Sequence, residues 1–112
     1  MSQHNLTDTI VALATPAGVG AIGVIRLSGT EAIEIVDKVF HGKTLADQAT
    51  HTIHLGTIRE EGHIVDEVLV SIFKTPKSYT KENVAEISCH GSNYIIQKLI
   101  QVFIKNGARM AN

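Results

Sequence analysis

The 112-residue sequence has one cysteine, two prolines, no tryptophan and only 4% aromatic residues. A single thiol, Cys89, excludes an intrachain disulfide framework and any cysteine-rich zinc site. No apolar run approaches the ~20 residues that a membrane helix needs. The polar opening Met1-Ser2-Gln3-His4-Asn5 has no signal-peptide core, so a cytoplasmic location is expected. In that setting the sequon Asn5-Leu6-Thr7 is an accident. An excess of charge of one sign is also missing. Lys plus Arg number 10 and Asp plus Glu 11, a net charge of −1, which excludes a polycation and argues against holding nucleic acid by bulk electrostatics. What is there is globular: 44% of the residues are apolar. A chain of this length makes one domain and buries roughly two-thirds of its unfolded surface.

Repeats, low-complexity tracts and linker-like stretches are absent, and hydrophobic periodicity divides the chain into elements. Residues 7–14 are β-branched and apolar and read as a strand. Residues 15–20, with Pro16, Gly18 and Gly20, read as a turn, and 21–27 as a second strand. The Ser28-x-x-Glu31 pattern then predicts a capped helix with Ile33, Val36 and Phe40 on one face, ended by Gly42. After a polar loop over 43–51, strands are expected over 52–59 and 64–73, joined by a hairpin turn over 60–63. The second of these is apolar on both faces, which predicts a central place in a sheet. A loop over 74–83 with Pro76 leads to a strand over 84–89. Ser92 caps the longest helix, which runs to about Lys105 with Ile96, Leu99, Ile100 and Phe103 as its stripe and Gly107 just beyond it. The order β-β-α-β-β-β-α is an α+β plan, a mixed sheet with two main helices on it. Residues 108–112 read as the beginning of another element, which predicts a domain cut from a longer chain.

Most chemical motifs fail on their context. Gly18-x-Gly20-x-x-Gly23 matches a dinucleotide fingerprint, but that site needs a helix to begin at the glycines, and here a strand composition follows. Gly42-Lys43-Thr44 resembles the end of a phosphate-binding loop, but its leading glycine would fall on Asp37. No GTP binding or hydrolysis is therefore expected of this chain. His51 and His54 are three apart on a loop entering a strand, where that spacing gives no shared face, and the other histidines are scattered. Cys89-His90 invites a nucleophile–base reading, but neighbours on a strand face opposite ways, and Cys89 alternates with Ile87 and Ala85 as a small core residue.

Two charges resist dismissal. Arg26 lies in Ile22-Gly23-Val24-Ile25-Arg26-Leu27, and Glu86 in Val84-Ala85-Glu86-Ile87-Ser88. By alternation Glu86 shares a face with Ser88 and His90. A buried charge without a partner costs several kcal/mol, in order of magnitude. Either the two pair with each other on a wetted face, or they await a polar ligand.

Three stretches carry a family resemblance. The first is Asp8-Thr9-Ile10-Val11-Ala12, Ala14-Thr15-Pro16-Ala17-Gly18-Val19-Gly20 and Val24-Ile25-Arg26-Leu27-Ser28-Gly29. The second is Tyr79-Thr80-x-Glu82-x-Val84-x-Glu86 followed by Cys89-His90-Gly91, and the third is Gly107-Ala108-Arg109-Met110-Ala111. In order and spacing they resemble the N-terminal region of the MnmE/TrmE tRNA-modification GTPases, over nearly the whole chain. The pattern departs at Lys81 and Asn83, where a glycine and an aspartate are common, and at Ser92, commonly glycine.

The resemblance implies that residues 1–112 are an N-terminal folate-binding and dimerisation domain, similar to the tetrahydrofolate-binding fold of the glycine-cleavage T protein. The helical and GTPase domains of the parent, the latter with its GTP, magnesium and potassium, would lie outside it. It further implies a homodimer that binds 5-formyltetrahydrofolate near its interface. The full-length parent would work with the flavoprotein MnmG on the wobble uridine of tRNA, the folate supplying a one-carbon unit. The family's folate-contacting arginine falls on Arg26 and its carboxylate on Glu86; two further lysine contacts have no counterpart here. The resemblance thus predicts that Arg26 and Glu86 line a folate pocket instead of closing on each other. No catalytic residue and no metal ligand is assigned. Two rival readings are a pure dimerisation module without competent folate binding, and a stand-alone folate-dependent one-carbon transferase, which the missing acid–base pair disfavours.

Overall fold

The computed structural model describes residues 8–14, 21–76 and 82–111. Its frame is a seven-stranded sheet: β1 (Ile10–Leu13), β2 (Ile22–Gly29), β3 (Phe40–His41), β4 (Thr52–Glu60), β5 (His63–Phe73), β6 (Asn83–His90) and β7 (Arg109–Met110). The spatial order is β3-β4-β5-β6-β2-β1-β7. All neighbours are antiparallel except β1 and β7, which run parallel, so the sheet is mixed as the α+β plan requires.

Helices α1 (Ala32–Asp37) and α2 (Asn93–Lys105) pack on one face of this sheet. Alternation along the strands turns Ile25 and Leu27, Val68, Val70 and Ile72, and Ala85 and Ile87 into that layer. They meet Ile33, Ile35 and Val36 of α1 and Ile96, Leu99, Ile100 and Phe103 of α2 in one core. Ser92 caps α2 as its position predicts, its Oγ accepting from the Ile95 N–H at 3.1 Å. The far end closes in a Schellman motif. The Gly107 N–H donates to the Ile104 carbonyl and the Ala108 N–H to that of Phe103, with Gly107 at φ 120°, a conformation that favours glycine.

The first helix differs from expectation. Ser28 does not cap it, because β2 continues through Ser28 to Gly29, with Ser28 opposite Ile10 on one side and Val84 on the other. No side chain caps α1; the Glu31 N–H just before it donates to Thr9 Oγ1 at 3.2 Å, which ties the helix entry to the residue before β1. Nor does the helix reach Gly42. It ends at Asp37, and Phe40 and His41 form an edge strand against Ile58 and Thr57. The Asp37 carboxylate accepts from the Leu45 and Ala46 N–H groups, which fixes the turn that follows. Phe40 is buried as predicted, but from the sheet and not from a helix.

Strands β4 and β5 form the expected hairpin on a two-residue turn, Glu61-Gly62, with φ of 50° and 82°. β5 is interior, between β4 and β6. Its second face is not covered, however, and Leu69 is 45% exposed there. A register shift opposite Ile58 and Arg59 leaves Val65 as an extra residue in β5, a bulge directly before Asp66. The reading of 15–20 as a turn lies outside the described residues, as do residues 77–81 of the 74–83 loop. What β2 shows is that a strand, not a helix, follows the glycine run.

Candidate functional site

The face of the sheet opposite the helices is open, and it carries both residues singled out in the sequence. Arg26 of β2 and Glu86 of β6 stand directly opposite each other in the antiparallel ladder. Ala12 flanks Arg26 on β1, and Ser71 flanks Glu86 on β5. The two charges close on each other: Arg26 Nε donates to Glu86 Oε2 at 2.8 Å, and Nη2 lies 2.7 Å from the same oxygen. The expectation that they would stand apart is therefore corrected. Direct cross-strand pairing brings opposite charges within reach, and nothing described intervenes.

The pair is not a buried one. The Arg26 side chain is 51% exposed and that of Glu86 27%. An ion pair so placed is worth about 0–1 kcal/mol, because water solvates both partners when it opens. Both arginine bonds also land on one oxygen, and among the described residues Glu86 Oε1 accepts none. The carboxylate thus keeps an acceptor for another N–H group, and the guanidinium can swing aside at small cost. These features fit a planar heterocycle that presents N–H groups, such as the amino-pyrimidine edge of a pterin.

Along β6 from Glu86 the same face shows Ser88 and then His90, whose ring is held in place. The Asp66 carboxylate accepts from His90 twice: Oδ2 from the backbone N–H at 2.9 Å, and Oδ1 from ring Nδ1 at 2.7 Å. β5 and β6 pair only as far as Leu69 and Ser88, and beyond that point the Asp66 side chain replaces the ladder. Asp66 is 9% exposed whereas the His90 side chain is 72% exposed. An ionised carboxylate only accepts, so Nδ1 carries the proton and Nε2 is left toward solvent. Sequence reasoning missed this pair. The available signal was Asp66 itself, a charge in phase with the buried Val68, Val70 and Ile72.

Cys89 points the other way, as predicted. It is 4% exposed, and its Sγ lies 3.5 Å from the Gly23 carbonyl oxygen. Burial, reinforced by the Asp66 charge, pushes the thiol up to about 11. A nucleophilic thiolate is not available at this position.

A cleft of about 200 Å³ opens beside His90, lined among others by Ile22, Leu55, Glu67, Leu69 and Ser88. A larger one, about 500 Å³, lies under the β4–β5 turn beside Lys38, Arg59, Glu60 and Lys105. Part of its charge is engaged within the fold: Lys105 pairs with Glu60 at 3.0 Å, Lys38 donates to the Asn106 carbonyl at 3.1 Å, and Arg59 Nε donates to Thr57 Oγ1 at 3.0 Å. Of the sequence candidates, His51 and His54 do not converge on a common ligand site. His51 packs edge-on against Phe73, and His54 bonds Thr52. Among the described residues no three His, Cys, Asp or Glu side chains gather as metal ligands, and no helix is long and apolar enough to cross a membrane.

The family described as GTP-binding protein TrmE N-terminus matches residues 9–112. The chain belongs to the TrmE N-terminal family. Among relatives named tRNA modification GTPase MnmE, that of Cytophaga hutchinsonii is 59% identical over 107 residues, 96% of this chain and 23% of the relative. The Flavobacterium johnsoniae protein is 57% identical over 108 residues, 94% of this chain and 23% of the relative. The Streptococcus thermophilus protein is 51% identical over 111 residues, 99% of this chain and 24% of the relative. The TrmE-like chain thus spans about a quarter of the length of the curated relatives it matches.

Proposed function

We propose that this chain is the folate-binding and dimerisation domain of a tRNA-modification GTPase. The observation that carries the reading is the placement of Arg26 and Glu86, side by side on the open sheet face with an acceptor oxygen unengaged among the described residues. Glu86 takes N–H groups of the pterin edge, and Arg26 turns its fork to a carbonyl or carboxylate of the same ligand. When bound, 5-formyltetrahydrofolate supplies a one-carbon unit. The remaining parts of the whole protein supply GTP hydrolysis and act with a flavoprotein partner on tRNA. The relatives' name, tRNA modification GTPase MnmE, supports that assignment.

The same face supports self-association. Ile22, Ile53 and Leu55 are each more than 60% exposed on it, too much apolar surface on one layer to leave in water. A symmetric pair of such faces buries them against each other. Titration with 5-formyltetrahydrofolate tests the ligand. Saturable binding that Arg26→Ala weakens is the expected result. Dimerisation without saturable binding favours the rival, a pure dimerisation module.

A further inference from the structure

We infer that His90, held by Asp66, is the residue that reads the p-aminobenzoyl-glutamate tail of the folate, and so makes the site specific for folates over free pterins. The inference rests on the folate reading above and extends it along β6. His90 lies four residue steps beyond Glu86, about 13 Å at the strand rise of about 3.3 Å per residue. A heterocycle alone cannot bridge that span, whereas a heterocycle carrying a benzoyl tail can.

The two ends of the span differ in the way such a ligand requires. At Glu86 the face offers charged groups for a polar ring edge. Beside His90 it offers the cleft of about 200 Å³ with Ile22, Leu55 and Leu69 in its walls, apolar surface suited to a benzene ring. His90 sits at the rim of this cleft with its ring direction fixed. Because Nδ1 is committed to Asp66, Nε2 is the ring atom left for a ligand. It is the atom that would meet the polar glutamyl link that a tail carries beyond its aromatic ring. The bulge at Val65 directly precedes Asp66, and the β5–β6 ladder ends before it, which leaves the His90 N–H to the Asp66 carboxylate. A histidine needed only to satisfy Asp66 would not have to stand 72% exposed beside an apolar cleft.

The test compares two probes, 5-formyltetrahydrofolate and tail-less 5-formyl-6-methyltetrahydropterin, on the wild-type chain and on His90→Asn. Asparagine can still donate an N–H toward Asp66 from near the Nδ1 position but has nothing at Nε2. The expected result is that the wild type prefers the tailed probe. His90→Asn should weaken that probe about tenfold, the loss of one hydrogen bond, and leave the tail-less probe unchanged. A second reading needs no variant: in the wild type, the tailed probe should shift the His90 Nε2 resonance in nitrogen NMR and the tail-less probe should not. Equal weakening of both probes, or an unchanged tail preference in His90→Asn, overturns the role of His90 and leaves the folate reading standing. Failure of the wild type to bind either probe overturns both.

Discussion

Cys89 and His90 are neighbours in the chain yet differ sharply in exposure, 4% against 72% for the His90 side chain, and the contrast shows what a strand does to adjacent side chains. Cys89 is sealed under α2, with its thiol pushed up to about 11 by burial and then by the Asp66 charge. Relative to the ordinary 9.0, that leaves about a hundredfold less thiolate near neutral pH. Iodoacetamide at pH 8 should therefore modify the folded chain at least ~100-fold more slowly than the urea-unfolded chain. Similar rates in both states would contradict this burial. At the residue scale Arg26 and Glu86 were legible because each is a lone charge in an apolar strand. Their mutual bond follows from the register of β2 against β6, which neither segment states by itself. The Asp66–His90 pair was not legible. It joins residues 24 apart across a ladder that ends early, beside a bulge that local periodicity does not announce.

Between elements, Glu60 ties the β4–β5 hairpin to α2. Its carboxylate meets Lys98 at 2.9 Å and Lys105 at 3.0 Å, about two turns apart on the helix. Hydrogen bonds from Lys98 and then Lys105 hold Glu60 below its ordinary 4.5, and Glu60 in turn holds Lys98 above its ordinary 10.5. A lowered carboxylate stabilises the fold above its unfolded value and loses that contribution as pH falls through the folded one. A raised lysine contributes below its unfolded value and loses that as pH rises through the folded one. Glu60→Gln should accordingly be less stable than the wild type between 4.5 and 10.5. The gap should narrow at both flanks and in 1 M salt, roughly the concentration at which the screening length falls to about 3 Å. Urea melts across pH check it, and a gap independent of pH and salt would contradict the ion-pair account. At this scale α2 and the hairpin were legible, since a capped apolar stripe and a glycine turn are local signals. The short α1, the edge strand Phe40–His41 and the edge strand Arg109–Met110 were not. Each is decided by a partner strand far away in the chain, which overrides the helical period of residues 33–40 and gives two-residue segments a place in the sheet.

For the molecule as a whole, the decisive asymmetry is a sheet with helices on one face and exposed Ile22, Ile53 and Leu55 on the other. Burying these in a symmetric contact predicts a dimer at tens of micromolar, in order of magnitude a usual assay range. Leu55→Glu should give a monomer whose stability is unchanged within about 0.5 kcal/mol, because the side chain is 63% exposed in the single chain. Sedimentation checks it, and a monomeric wild type would contradict the self-association. The central claim is that the Arg26–Glu86 pair is an exposed ligand contact and not a structural bond. Calorimetric titration of 5-formyltetrahydrofolate into the wild type and Glu86→Gln, each with its melting temperature, tests it most directly. Glutamine keeps the shape but places a donor against the pterin N–H groups. Binding should weaken about tenfold to a hundredfold, for an unpaired polar group costing roughly 1–3 kcal/mol. Melting should hardly move, because the freed guanidinium, already 51% exposed, is solvated. A large fall in melting temperature, with folate binding unchanged or absent in both proteins, would contradict the account.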